Sequence, residues 1–533
     1  MPNPLQSGRH RGPGDGSRRI AYAAKGSSAA SSVLETALGL RVPLTPEVQT
    51  LVQWCAAGIA LAGLVAFLGY PAESWQNLAG AVAADMGGTA WLLVRLGRTA
   101  EGTLVVNPLT ALLGAYALRR LIGLIHVLGQ RTSLESPYDG IAAAAYVAAS
   151  AKAEWVTLAG TGAFCCGWLA GRQRRSEVIH IQPFTHWHDT QLWAAYGIGL
   201  AVFLSYWLSG GALSALGSSF SVTSGFAYGT VFVLLVFSRD FGTTGKLRYL
   251  AYAALLPLFV SSLTVGMKSA FFYALLPAWA AYLLRRPRRG LVFSFLIVFF
   301  LLIFVFPYIG AYRAMNWGTA SGATVQEVSQ VTSESVEYAG VWGTLAHSWS
   351  QFELRFGSVN EAGAVVYLAD RTGFMGSFFL QNLTYGFVPR FLWPQKPSWD
   401  PAVWFTTLLS GGASDTPGTS STALHLGPEL YWMYGWSGTA LGLLVLGLFY
   451  RKVSDGLLKA GKTAPVFLAA WYSFFIFVCF LEEVRYNMAI IGSIILVSNA
   501  FVVSWLVKTV IPQRHAPRLI GSQRRMLNPR SVR

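Results

Sequence analysis

The sequence predicts an all-α fold, a polytopic transmembrane helical bundle with one large external loop, and three observations predict it. Hydrophobic residue types make up 53% of the 533 residues and charged ones 12%, about half the charged share of an ordinary soluble domain. Apolar runs long enough, or nearly so, to cross a hydrocarbon core recur from Leu51 to the C-terminal region. The basic excess behind the formal charge of +16 gathers in short clusters beside those runs, as cytoplasmic loops require. The charge therefore reads as topology, and no nucleic-acid partner is expected.

Residues 1–48 form a basic tail, with Arg9, Arg11, Arg18, Arg19 and Lys25 among Gly, Pro and Ser; it is expected to be disordered and cytoplasmic. No apolar run precedes Leu51, so no cleavable signal peptide is expected. Residues 49–308 hold the N-terminal transmembrane helices. Their clearest runs are Leu51 to Phe67, Trp155 to Ala170, Leu192 to Leu208, Phe226 to Phe237, Tyr249 to Val265, Ala270 to Leu284 and Leu291 to Pro307. Between Leu68 and Glu154, Thr103 to Leu118 reads as a span closed by Arg119-Arg120. Asn77 to Leu96 and Gly140 to Ala153 are too rich in small or polar residues to assign. Residues 431–508 hold the C-terminal spans Tyr431 to Tyr450, Val466 to Phe480 and Met488 to Val507, and a basic tail, 509–533, follows. The total is about ten to twelve spans.

Cations orient the bundle. Arg172, Arg174 and Arg175, Arg239 with Lys246 and Arg248, the Arg285 to Arg289 cluster, Arg451-Lys452 and the C-terminal tail face the cytoplasm under the positive-inside rule. By alternation, residues 309–430 face outward, as does the turn from Glu482 to Tyr486. Within that loop Thr319 to Ser335 has no periodicity and is expected to be a mobile segment or lid. Trp342 to Val366 shows helical spacing and predicts one amphipathic helix carrying Glu353, Arg355 and Glu361. Phe374 to Phe391 reads as re-entrant or interfacial, and prolines 389, 394, 397 and 401 then forbid a continuous helix. Cys55, Cys165, Cys166 and Cys479 all fall in apolar runs, which leaves the loop without a disulfide or a cysteine-based metal site.

Irregular, cation-bearing backbone between spans marks a site, because it persists only when buried in protein or lining a wet cavity. Arg390 and Lys396 flank a proline-fixed aromatic turn near the membrane boundary and are suited to a lipid-linked pyrophosphate. Pairing with Asp400 and Glu361 is the structural alternative. Arg355, Arg371 and Arg485 are weaker candidates of the same kind, and Lys268 either snorkels or reaches into the cavity. Trp393, Trp399 and Trp404 stack on sugars or belong to an interfacial belt. For a base that takes a proton from an attacking hydroxyl, the candidates are Glu429, His425 and Asp415, in that order. There is no D-x-D pair, P-loop or G-x-S-x-G. His180, His186, His188 and Asp189 lie on the cytoplasmic side, away from this site.

Val388-Pro389-Arg390-Phe391-Leu392-Trp393-Pro394-Gln395-Lys396-Pro397 resembles the Pro-Arg-x-x-Trp-Pro-x-Lys-Pro signature of the bacterial oligosaccharide repeat-unit polymerases, the Wzy-type O-antigen and exopolysaccharide polymerases. Gly427-x-Glu429-x-Tyr431-x-x-x-Gly435-Trp436-x-Gly438 is similar to the start of the span behind their loop. Gly266-Met267-Lys268 falls where they often carry Gly-x-Arg, with lysine here in place of arginine. The resemblance implies a GT-C-like glycosyltransferase of the bacterial cytoplasmic membrane, independent of metal and of any cofactor. Its donor and acceptor would be undecaprenyl-pyrophosphate-linked glycans at the outer leaflet of the lipid bilayer, and a chain-length-regulating co-polymerase would be a partner. An O-antigen-ligase-like transferase, a transporter or flippase, and a non-catalytic assembly scaffold stand as alternatives.

Overall fold

The computed structural model describes residues 46–98, 108–130, 141–171, 186–208, 218–237, 245–265, 268–285, 287–316, 324–356, 359–376, 424–461 and 463–511, with Leu383, Val388, Trp393, Gln395 and Phe405. Among these residues the chain is all-α. In order the helices are α1 (Pro46–Gly69), α2 (Trp75–Arg98), α3 (Pro108–Gln130), α4 (Ala143–Ala170), α5 (His186–Leu208), α6 (Ser218–Phe237), α7 (Gly245–Ala253) and α8 (Leu256–Val265). They continue with α9 (Lys268–Arg285), α10 (Pro287–Phe300), α11 (Phe306–Asn316), α12 (Val325–Phe356), α13 (Val359–Thr372), α14 (Leu426–Gly461), α15 (Val466–Cys479) and α16 (Tyr486–Val510). Four of the described helices, α1, α3, α14 and α16, are long and apolar enough to cross a membrane, and shorter apolar helices stand among them. Leu61, Leu68, Phe501 and Trp505 turn outward, the apolar exterior that a bilayer calls for.

α14 sits centrally, against α4, α13, α15 and α16, while α2 lies among α1, α3 and α4. Small residues set the closest approaches. A methyl on Gly63 would come within 2.5 Å of the Ala84 nitrogen, and one on Gly87 equally near that of Ala60. Between α4 and α14, a methyl on Gly167 would overlap the Leu444 carbonyl and one on Gly447 that of Phe164. Such contacts let membrane helices pack where apolar character alone gives no drive to associate.

Several expectations are corrected. The run ending at Arg119-Arg120 continues: α3 carries both arginines at mid-helix, buried, because carboxylates from other elements neutralise them. Asn77 to Leu96 is helical within α2, and Ala143 to Ala153 within α4, their small residues serving close packing. Tyr249 to Val265 is two helices, since Pro257 has no N–H to continue the ladder from α7. The expected lid is helical from Val325 onward: the Thr324 N–H and hydroxyl donate to Glu327 Oε2 at 2.7 and 2.9 Å, a capping box that starts α12. The single amphipathic helix expected over Trp342 to Val366 is divided between α12 and α13. All four cysteines are free and lie on α1, α4 and α15. The expectations for residues 1–45 and 512–533, for His180 and for residues 396–404 lie outside the described residues.

The α4–α14 contact generates a test. Gly167→Ala is expected to cost roughly 1–3 kcal/mol through overpacking. Gly162→Ala, on the same helix with nothing within 4 Å of the added carbon, should match or exceed wild type. Thermal unfolding of the detergent-solubilised protein checks both.

Candidate functional site

The site begins at an elbow in α14. Tyr434 and Gly435 leave helical geometry, Gly435 at φ 65°, where a side chain is strained and a methyl would also meet the Phe374 ring. Twelve residues of straight helix would span about 18 Å, yet the Thr439 hydroxyl donates to the Gly427 carbonyl at 3.2 Å. The segment from Leu426 to Met433 thus doubles back on the span. Gly438 lets the backbones approach, since a methyl there would lie 2.5 Å from the Leu430 carbonyl. Glu429 and His425 are carried into the interior, 0% and 4% exposed.

His425, immediately before α14, has φ 57°, and it is the one non-glycine residue with positive φ among those described. Such a backbone costs of order 1–3 kcal/mol and persists only where surroundings enforce it. Its Nε2 lies 3.6 Å from Glu361 Oε2, and its Nδ1 lies 4.0 Å from Glu482 Oε1. Neither ring nitrogen has a hydrogen-bond partner among the described residues, a state that buried imidazoles rarely tolerate without a role. Glu361 lies in the first turn of α13, which packs on α4 and α14.

Glu482, in the short 3₁₀ turn between α15 and α16, joins this histidine to two buried guanidinium groups. Its Oε2 accepts from Arg119 Nη1 at 3.3 Å and its Oε1 from Arg120 Nη2. Arg120 also meets α2 and α4: Nε donates to Asp85 Oδ2 at 2.7 Å and lies 2.9 Å from Glu154 Oε2. Thr89 donates to Asp85 Oδ1 at 3.1 Å. Burial pushes the Glu482 carboxyl up, but Arg120, Arg119 and His425 outweigh it and hold the group at about 2. A cavity with room for about one water adjoins Glu482 and Tyr116, lined also by Thr157, Thr161 and Gly427.

Of the residues expected at the site, the structure brings together His425 and Glu429. Glu429 Oε2 accepts the Tyr486 N–H at 2.8 Å, which ties the carboxylate to the first turn of α16. Arg485 is the N-cap of α16 and half-buried. Trp393 is half-buried. Lys268 opens α9 and Arg355 lies in the last turn of α12. Arg390, Lys396, Trp399 and Asp415 lie outside the described residues. Glu361 lies against His425, and the loop cations expected to pair with it, Arg390 and Lys396, lie outside the described residues.

Sequence reasoning missed Asp85, Arg119, Arg120 and Glu154 altogether. The signal was present: each is an ionisable residue set well inside an apolar or small-residue stretch, where charge is costly and needs a partner.

On the other face of α4 an open groove of about 930 Å³ runs between Phe67, Ala148, Trp155, Leu158 and Trp436. Its polar end is a clasp. Lys152 Nζ lies 2.9 and 2.7 Å from the two Asp370 oxygens, and the Tyr431 hydroxyl donates to Asp370 Oδ1 at 2.8 Å.

Because Glu482 loses its proton more readily folded than unfolded, it stabilises the fold above about pH 4.5, and that contribution vanishes as pH falls through about 2. Glu482→Gln is expected to cost about 3–5 kcal/mol at pH 7, since it strips buried cations of their counter-charge. The same substitution should flatten the acid limb of a melting-temperature-against-pH profile.

No curated protein and no solved structure matches the chain. Residues 125–462 match the family described as "Domain of unknown function (DUF8712)". That stretch includes Glu154, Glu361, His425, Glu429 and the elbow, and spans more than half of the sequence. The chain belongs to this family of unknown function.

Proposed function

We propose that this protein polymerises undecaprenyl-pyrophosphate-linked oligosaccharide repeat units at the outer face of the bacterial cytoplasmic membrane, with both termini cytoplasmic and residues 309–430 outside. The observation that carries the reading is His425: buried, held in left-handed backbone, both ring nitrogens without a hydrogen-bond partner among the described residues, and set between two carboxylates. That is the arrangement of a base awaiting a proton. The acceptor hydroxyl gives its proton to His425 as its oxygen attacks the anomeric carbon of the donor. Glu361 and Glu482 offset the imidazolium charge. The bond from that carbon to the pyrophosphate breaks, and undecaprenyl pyrophosphate leaves. Arg390 and Lys396, with Arg355 or Lys268, neutralise the departing anion. A diphosphate leaves readily, so positioning and charge suffice for the remainder. The apolar groove beside Trp155 supports the reading, since it suits the hydrocarbon of a lipid carrier.

A second reading, transfer of a lipid-linked sugar across the bilayer, is favoured by a different observation. Asp85, Arg120 and Glu154 stand near the middle of three helices, where charge often marks a transport path.

In the native host, His425→Gln and Arg390→Ala are expected to abolish long polysaccharide and to accumulate single repeat units on lipid at the outer leaflet, a loss of at least about 10²-fold in polymer for the histidine. Accumulation on the inner leaflet selects transport. Free long chains on lipid select a ligase, and normal polymer refutes the assignment.

A further inference from the structure

We propose that Asp85 and Glu154 form a proton-binding site inside the bundle, with one proton shared between their carboxyl groups against the guanidinium of Arg120. The geometry starts at a single nitrogen. Arg120 Nε is 2.7 Å from Asp85 Oδ2 and 2.9 Å from Glu154 Oε2, but it has one hydrogen, which is donated to Asp85. Each of the two carboxyl groups thus has an oxygen within 3 Å of the same nitrogen. Glu154 is 0% exposed, and neither of its oxygens receives a hydrogen bond from any described donor. An ionised carboxylate in that state is the costliest arrangement a protein interior offers.

The surrounding charges do not relieve it. Both guanidinium groups engage Glu482, so the cations of α3 are already shared when Asp85 and Glu154 are reached. Tyr116 of α3 is a neutral neighbour. Cys479 of α15 has Arg119 as its charged neighbour. His425, just ahead of α14 and with Glu361 of α13 behind it, meets the network through Glu482 among the described residues. Glu429 is tied to the α16 backbone, and α1 brings Ala56, Ala60 and Gly63 to its contact with α2. A proton is the smallest charge that resolves the conflict. It makes Glu154 an O–H donor to Asp85, whose other oxygen already accepts from Thr89. The guanidinium at the centre of the cluster disfavours a metal cation in the same place. Like other acid pairs at this range, the two groups titrate as a unit.

The test uses the full chain in nanodiscs, with infrared spectroscopy and thermal unfolding across pH 6 to 10, conditions chosen around about neutral. A protonated-carboxyl band is expected at pH 7, lost in alkali and missing from Glu154→Gln. That variant, an isostere of the neutral acid, should melt within roughly 2 °C of wild type at pH 7 and keep its stability at alkaline pH, where wild type declines as two carboxylates are left facing each other. Arg120→Gln, the comparator, should lose most of the folded protein. Absence of the band from wild type at pH 7 overturns the proposal. So does its persistence in both Glu154→Gln and Asp85→Asn, or a loss of stability in Glu154→Gln as large as that of Arg120→Gln.

Discussion

The ion pairing of Arg119 and Arg120 with Glu482 is the constraint on which the rest of the bundle depends. α3 brings two guanidinium groups into an apolar interior, and each would cost several kcal/mol there without a counter-ion. The counter-charge comes from elsewhere: from the Asp85–Glu154 pair on α2 and α4, and from Glu482 in the turn joining α15 to α16. These elements can occupy the interior only together. The network thereby specifies one arrangement of the N-terminal and C-terminal halves, whatever its net contribution to stability.

The same network gives the site its electrostatic frame. Glu482 faces the arginines with both oxygens and His425 with one of them, so the histidine looks onto a carboxylate whose charge is guaranteed. Glu361 approaches from α13 on the other side. The helical elbow at Gly435 carries His425 to this meeting point, and the Glu429 carboxylate fixes the elbow to the start of α16.

The all-α membrane architecture was legible in the sequence because long apolar runs announce themselves. His425 and Glu429 were also legible, since they lie in a polar stretch just ahead of a clear span. The first half of the network was not. α2 and the first half of α4 hide from hydropathy because they are rich in Gly and Ala, which count little as apolar residues but permit the closest contacts. Arg119-Arg120 imitated the cationic end of a span, although the apolar residues that follow from Leu121 mark it as interior; the carboxylate that neutralises both lies more than 360 positions away. The polar character of Thr319 to Ser335 suggested mobility, whereas the Thr324 and Glu327 pairing at its centre is a helix start that spacing alone could have revealed.

The doubled-back segment of α14 has a further consequence. Because Thr439, Gly438 and Gly442 fasten residues 426–433 to the very helix that follows them, the elevation of His425 relative to the bilayer is inherited from that helix and owes nothing to the stretch before it. Insertions or deletions ahead of Leu424 can therefore reshape what approaches the imidazole without shifting it along the helix that carries it.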